Sequence, residues 1–117
     1  MIWTLAQVAL GGALGSVLRF LTVSSVGAPL ATALVNIAGS FLMGVLVVLL
    51  ATRLHLAPLL MTGVLGGFTT FSAFSLDALK LYQTGQPLQA LFYVAGSVLL
   101  SLIAVAFGAA ITRGALT

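Results

Sequence analysis

Tyr93, Ser97 and Ser101 follow one another at intervals of four residues, and Asn36 and Ser40 are also four apart. That spacing puts each set on one face of a helix. All five are neutral hydrogen-bonding groups set within long apolar runs. They can replace part of an ion's hydration shell, or they can bond across a helix interface and back to their own backbone. Asn36 is the hardest to read as glue, because a primary amide in an apolar interior needs partners or water. Phe68, Phe71 and Phe74 recur every three residues. Such rings pack against lipid or a neighbouring helix, and their electropositive edges can also face an anion. The sole acid is Asp77 and the sole histidine His55. No carboxylate pair, HExxH motif or Ser-His-Asp set can be assembled, so the chain is not predicted to be an enzyme. The absence of cysteine removes disulfides, thiolate metal sites and cysteine nucleophiles.

The elements that hold these residues are membrane spans. Of 117 residues 62% are hydrophobic and 4% charged, with a mean hydropathy of +1.30, whereas a soluble domain carries roughly 25% charged residues. A span needs about 20 apolar residues, so the length accommodates four spans and no soluble domain. They are predicted at residues 2–23, 30–52, 58–82 and 88–112, one transmembrane domain over 1–117 in an all-α multi-pass membrane protein. The first is read as a retained span, since no basic segment precedes it. Gly27 with Pro29, Arg53 with Pro58, and the run Thr84-Gly85-Gln86-Pro87 punctuate the connections. The net charge of +3 rests on five side chains and does not indicate nucleic-acid binding.

Within the third span, Gly66-Gly67-Phe68-Thr69-Thr70 weakens helix propensity at mid-membrane. A helix broken near residues 66–70 is predicted. Such a break survives only where its backbone is buried in protein or lines a polar cavity, and breaks of this kind coordinate ions. Gly11 and Gly15, like Gly63 and Gly67, form GxxxG pairs that allow close packing of helices. Arg19 lies too deep for a simple end-of-helix anchor; it either snorkels to the interface or draws anions toward a vestibule. Four spans place Arg53 and Arg113 on one side of the membrane and Arg19 and Lys80 on the other. Orientation follows a Lys/Arg excess, which is missing here. Two-way insertion and an antiparallel homodimer would account for the balance, and so would the scatter of a small count. Neutral donors, aromatic edges and a single acid favour a small anion over a cation as the permeant species.

Three blocks of sequence resemble the Fluc/CrcB family of small fluoride channels along essentially the whole chain. They are Gly11-Gly12-Ala13-Leu14-Gly15-Ser16-Val17-Leu18-Arg19-Phe20, Asn36-Ile37-Ala38-Gly39-Ser40-Phe41-Leu42-Met43-Gly44, and Gly63-Val64-Leu65-Gly66-Gly67-Phe68-Thr69-Thr70-Phe71-Ser72-Ala73-Phe74. Each block is modestly specific; the three in order are highly so. Ser16, Phe20 and Ala73 depart from the family pattern, in which alanine, tyrosine and a hydroxyl residue stand at those places.

The resemblance implies an antiparallel dual-topology homodimer in the cell (inner) membrane that exports fluoride passively through two pores. It implies Asn36, Phe71, Phe74, Tyr93, Ser97 and Ser101 as pore residues; Arg19 is the vestibule candidate from its depth in the first span. It further implies a structural sodium ion between the subunits, held by the backbone carbonyls of Gly66 and Thr69. The partners would be fluoride, sodium, a second copy of the chain and the lipid bilayer. Two other classes share the architecture: a small proton-coupled multidrug exporter, and a membrane subunit that transports nothing. The first requires an acid embedded in the membrane; the second leaves Asn36 and the serine stripe as packing alone.

Overall fold

A computed structural model describes residues 1–117, and it is entirely helical. Helix α1 spans Ile2–Val26 and α2 spans Leu30–Leu49. A 3₁₀ turn at Leu54–Leu56 leads into a π-wound segment, Pro58–Leu65, that runs directly into one α-turn at Gly66–Phe68. Residues 58–68 together are α3. After two extended residues, α4 covers Phe71–Gln83 and α5 covers Pro87–Leu116. The chain thus has four helical stretches long and apolar enough to cross a membrane, the third (Leu54–Gln83) being interrupted.

Two pairs of parallel helices form the body, and small residues set how closely each pair approaches. On α1, a Cβ at Gly11 would strike the backbone of Leu59 and come within 2.8 Å of Gly63 Cα, and one at Gly15 would strike Val64. Both GxxxG pairs are therefore spent inside one chain, joining α1 to α3. On the other side, Gly44 of α2 lies against the Val105 carbonyl and Gly108 of α5 against the Phe41 carbonyl. Toward the Asn36 end of this pair the glycine contacts stop, and a cavity opens.

The interruption reroutes the third span. Before it, α3 packs on α1; after it, α4 packs on α5 and makes no contact with α1. Thr69 (φ −88°, ψ 156°) and Thr70 (φ −154°, ψ 121°) are the only extended residues of the span. The break is therefore narrower than residues 66–70, because Gly66–Phe68 keep their turn against α1. A Cβ at Gly67 would lie 2.6 Å from the Gly12 carbonyl and 3.1 Å from Ser16 N, so the glycine that weakens the helix also lets it dock. Thr69 Oγ1 bonds back to the Leu65 carbonyl at 2.9 Å, and Thr70 Oγ1 accepts the Ala73 N–H at 3.1 Å as the N-cap of α4.

Span limits also differ from those read off the sequence. α1 runs through Ser24 and Ser25 and stops at Gly27, whose φ of 90° suits only glycine. α2 ends earlier, at Leu49, where Arg53 N–H turns back to the Leu50 carbonyl at 2.9 Å. α5 continues past Arg113 to Leu116, since arginine does not terminate a helix. Only 17 of the 117 residues are buried, and the exposed remainder of α1 and α5 is mostly Leu, Val, Ile and Phe, a surface suited to hydrocarbon.

Candidate functional site

The broken segment is held from α2 by one side chain. Asn36 Nδ2 donates to the Thr70 carbonyl at 3.0 Å, and Thr70 N–H donates to Asn36 Oδ1 at 2.7 Å. This reciprocal pair supplies the partners that an amide in an apolar interior requires. It also uses the N–H that a continuous helix would aim at the Gly66 carbonyl. One Nδ2 hydrogen of Asn36 is left over.

Asn36 is also on the wall of a cavity of about 210 Å³ lined by Asn36, Phe71, Phe74, Ser97, Val98 and Ser101. Three helices build it: α2 brings Asn36, α4 brings the two phenylalanines, and α5 brings the serines one turn apart. Ser97, 7% exposed, is one of the lining residues; its Oγ is buried and has no hydrogen-bond partner. A buried hydroxyl left without a partner costs about 1–3 kcal/mol, and Ser97 is the lining residue that carries such a group. Phe74, buried, stands between Phe71 and Tyr93, with ring centroids 5.3 Å from each and planes tilted by 54° and 42°. Tyr93 adjoins the cavity through this contact without lining it, and its hydroxyl donates to Asp77 Oδ2 at 3.2 Å. A second cavity of about 220 Å³ shares Asn36 and Ser101 and adds Ser40, Met43 and Thr69. The arrangement offers neutral donors and aromatic rings to a small ion, and neither cavity is lined by an acid.

The family model described as "CrcB-like protein, Camphor Resistance (CrcB)" matches residues 6–109 of this sequence. The chain belongs to the CrcB family. Curated relatives extend over nearly its full length. A protein of Cereibacter sphaeroides (strain ATCC 17029 / ATH 2.4.9) is 56% identical, with 97% of this chain and 98% of the relative aligned. One of Paracoccus denitrificans (strain Pd 1222) is 54% identical over 95% of each. One of Ruegeria sp. (strain TM1040) is 48% identical over the whole of both. All three carry the name "Fluoride-specific ion channel FluC". Together with its four apolar spans, membership of the CrcB family makes the chain a multi-pass membrane protein.

The remaining residues singled out from the sequence of this CrcB protein fall elsewhere. Gly66 is exposed at the end of α3, and Thr69 reaches the second cavity rather than the first. No hydrogen bond from the chain reaches the Thr69 carbonyl. Arg19 is half-buried and lines neither of these cavities; its Nε donates to the Gly67 carbonyl at 3.0 Å. Sequence reasoning missed the pairing of Asn36 with Thr70 and that of Tyr93 with Asp77, because each joins residues from different spans. A lone amide in one span and a hydroxyl-rich break in another were the only signal for the first. Val98 carried none.

Proposed function

We propose that this chain is a fluoride-selective channel that lets fluoride leave the cell passively across the cell membrane, working as an antiparallel dual-topology homodimer. The observation that carries the reading is the cavity of about 210 Å³ that Asn36, Phe71, Phe74, Ser97 and Ser101 line together, Ser97 being buried with an unpartnered hydroxyl. The name borne by relatives at 48–56% identity supports it.

Fluoride is small and strongly hydrated, so a pore must supply close donors in place of water. The hydroxyls of Ser97 and Ser101 and the free Nδ2 hydrogen of Asn36 are such donors. The edges of Phe71 and Phe74 add a weaker electropositive contact that eases passage without trapping the ion. Tyr93 continues the α5 stripe toward Asp77.

The dimer is supported by what one chain leaves open. Phe71 is 76% exposed although it lines the cavity, so the wall on that side is incomplete. The free Thr69 carbonyl at mid-span would be expensive against lipid, and a second, inverted copy laid over the break would cover it. Sodium is proposed for the same place. The Gly66 carbonyl has lost its helical donor and the Thr69 carbonyl has none, and carbonyl oxygens suit a hard monovalent cation. Bound there, sodium would supply a fixed positive charge between subunits. Replacement of sodium by N-methylglucamine should then slow transport, and full activity in rigorously sodium-free medium would exclude the ion.

Purified protein in liposomes loaded with fluoride, read with a fluoride electrode on addition of a potassium ionophore, tests the function itself. Rapid voltage-driven fluoride efflux with no comparable chloride efflux is expected. Release no faster than from protein-free liposomes would overturn the reading.

A further inference from the structure

We propose that Arg19 is a positioning residue for the helix break, acting through the single bond from its Nε to the Gly67 carbonyl and not through its charge at a vestibule. The proposal rests on the channel reading above and adds to it a residue that shapes the pore from behind.

α1 faces α3 along one stripe. Gly12 and Ser16 meet Gly67, Gly15 meets Val64 and Phe68, and Arg19 is the next residue on that stripe, one turn beyond Gly15 and Ser16. It therefore meets the third span where the helix stops. In an unbroken helix the Gly67 carbonyl would receive the Phe71 N–H, but the extended Thr69 and Thr70 carry Phe71 away toward α5. An orphaned carbonyl within a span has no water to turn to, and Arg19 fills the place at 3.0 Å. A guanidinium at the C-terminal end of a helical run is also favoured by the helix dipole.

The extended pair is then pinned on both sides. Arg19 of α1 holds Gly67 before it, and Asn36 of α2 holds Thr70 after it. Between these two anchors the chain turns from α1 to α5 and starts α4 at Phe71. Loosening the first anchor lets the Gly66–Phe68 turn shift along α1, and the start of α4 moves with it. Phe71 and Phe74 would lose their place on the cavity wall although Arg19 touches neither cavity.

The identity of the bonding atom makes this separable from an effect of charge. The contact uses Nε, and the Nε2 amide of glutamine stands the same number of bonds from Cα. Arg19→Gln thus keeps a donor at that place and deletes the charge. Arg19→Lys keeps the charge but moves the donor one atom farther out and puts a methylene where Nε was. Arg19→Met removes both.

The three variants of the full-length protein are compared with wild type by fluoride efflux from liposomes and by hydrogen–deuterium exchange of residues 66–72 in detergent. Arg19→Gln should stay within about threefold of wild type in both, while Arg19→Lys and Arg19→Met exchange faster over residues 66–72 and lose flux, each by about tenfold, the scale of one hydrogen bond. A Lys variant that conducts while the Gln variant does not would overturn the proposal in favour of charge. Wild-type exchange in the Met variant, or loss of both readouts in the Gln variant, would overturn it too. If the Met variant does not fold, the comparison of Gln with Lys decides. Should wild type itself conduct no fluoride, the channel reading fails, and the exchange arm still judges Arg19.

Discussion

Replacing Asn36 tests whether the amide organises the break as well as facing the cavity. Its two bonds to Thr70, at 3.0 and 2.7 Å, satisfy one backbone carbonyl and one backbone N–H at mid-span. Asn36→Leu, close in volume, leaves both without a partner. At about 1–3 kcal/mol for each stranded group the loss is about 2–6 kcal/mol. Because 1.4 kcal/mol is a factor of ten, opening of the segment should rise by about 30-fold at the least. Asn36→Asp keeps an acceptor for the Thr70 N–H but sets a second oxygen against the Thr70 carbonyl, so one bond is lost and one repulsion gained. Its effect should lie between those of wild type and Asn36→Leu in exchange, while flux is suppressed strongly because a carboxylate on the cavity wall repels an anion. Exchange of residues 66–75 by mass spectrometry, beside fluoride efflux from liposomes, reads both. If Asn36→Leu left exchange at the break unchanged, the pairing with Thr70 would not be what holds it. Wild-type flux in Asn36→Asp would remove Asn36 from the pore.

Phe71→Ile and Phe74→Ile keep apolar bulk and delete the ring edge; flux should fall by up to about an order of magnitude, on the scale of an aromatic contact, while the proteins stay folded by size-exclusion chromatography. Ser97→Ala removes a hydroxyl that has no partner, so thermal stability should be unchanged or rise by up to about 1 kcal/mol while flux drops; a loss of stability would mean that Ser97 is a packing residue. Gly15→Ala sets a methyl against the Val64 carbonyl and should cost several times the ~1 kcal/mol that alanine gains in helix propensity, so poor expression is expected, whereas Gly12→Ala, with open space around its Cβ, should be tolerated. Cysteines placed at either terminus should label from both sides of the membrane in one population, and labelling from one side alone would exclude the inverted pair.

Much was legible in the chain itself. A composition with almost no charge admits only a membrane protein, and apolar runs punctuated by Gly and Pro give the number and order of its spans. Weak helix propensity announced the break, and residues spaced by three and four announced which side chains share a face. These are local properties, fixed by neighbours in sequence. The tertiary structure decided everything that joins one span to another. The break shrank to Thr69 and Thr70 because Gly67 found a seat against Gly12 and Ser16 of α1. Arg19, unreadable by itself, turned inward because that same close approach left a carbonyl within its reach. The π-winding of Pro58–Leu65 has no signature in propensity, since it adds a residue per turn without changing which residues are apolar. Asn36 found Thr70 across 34 residues of chain, and a hydrogen bond of that kind is set by how α2 lies beside the broken span, which no spacing along either one contains.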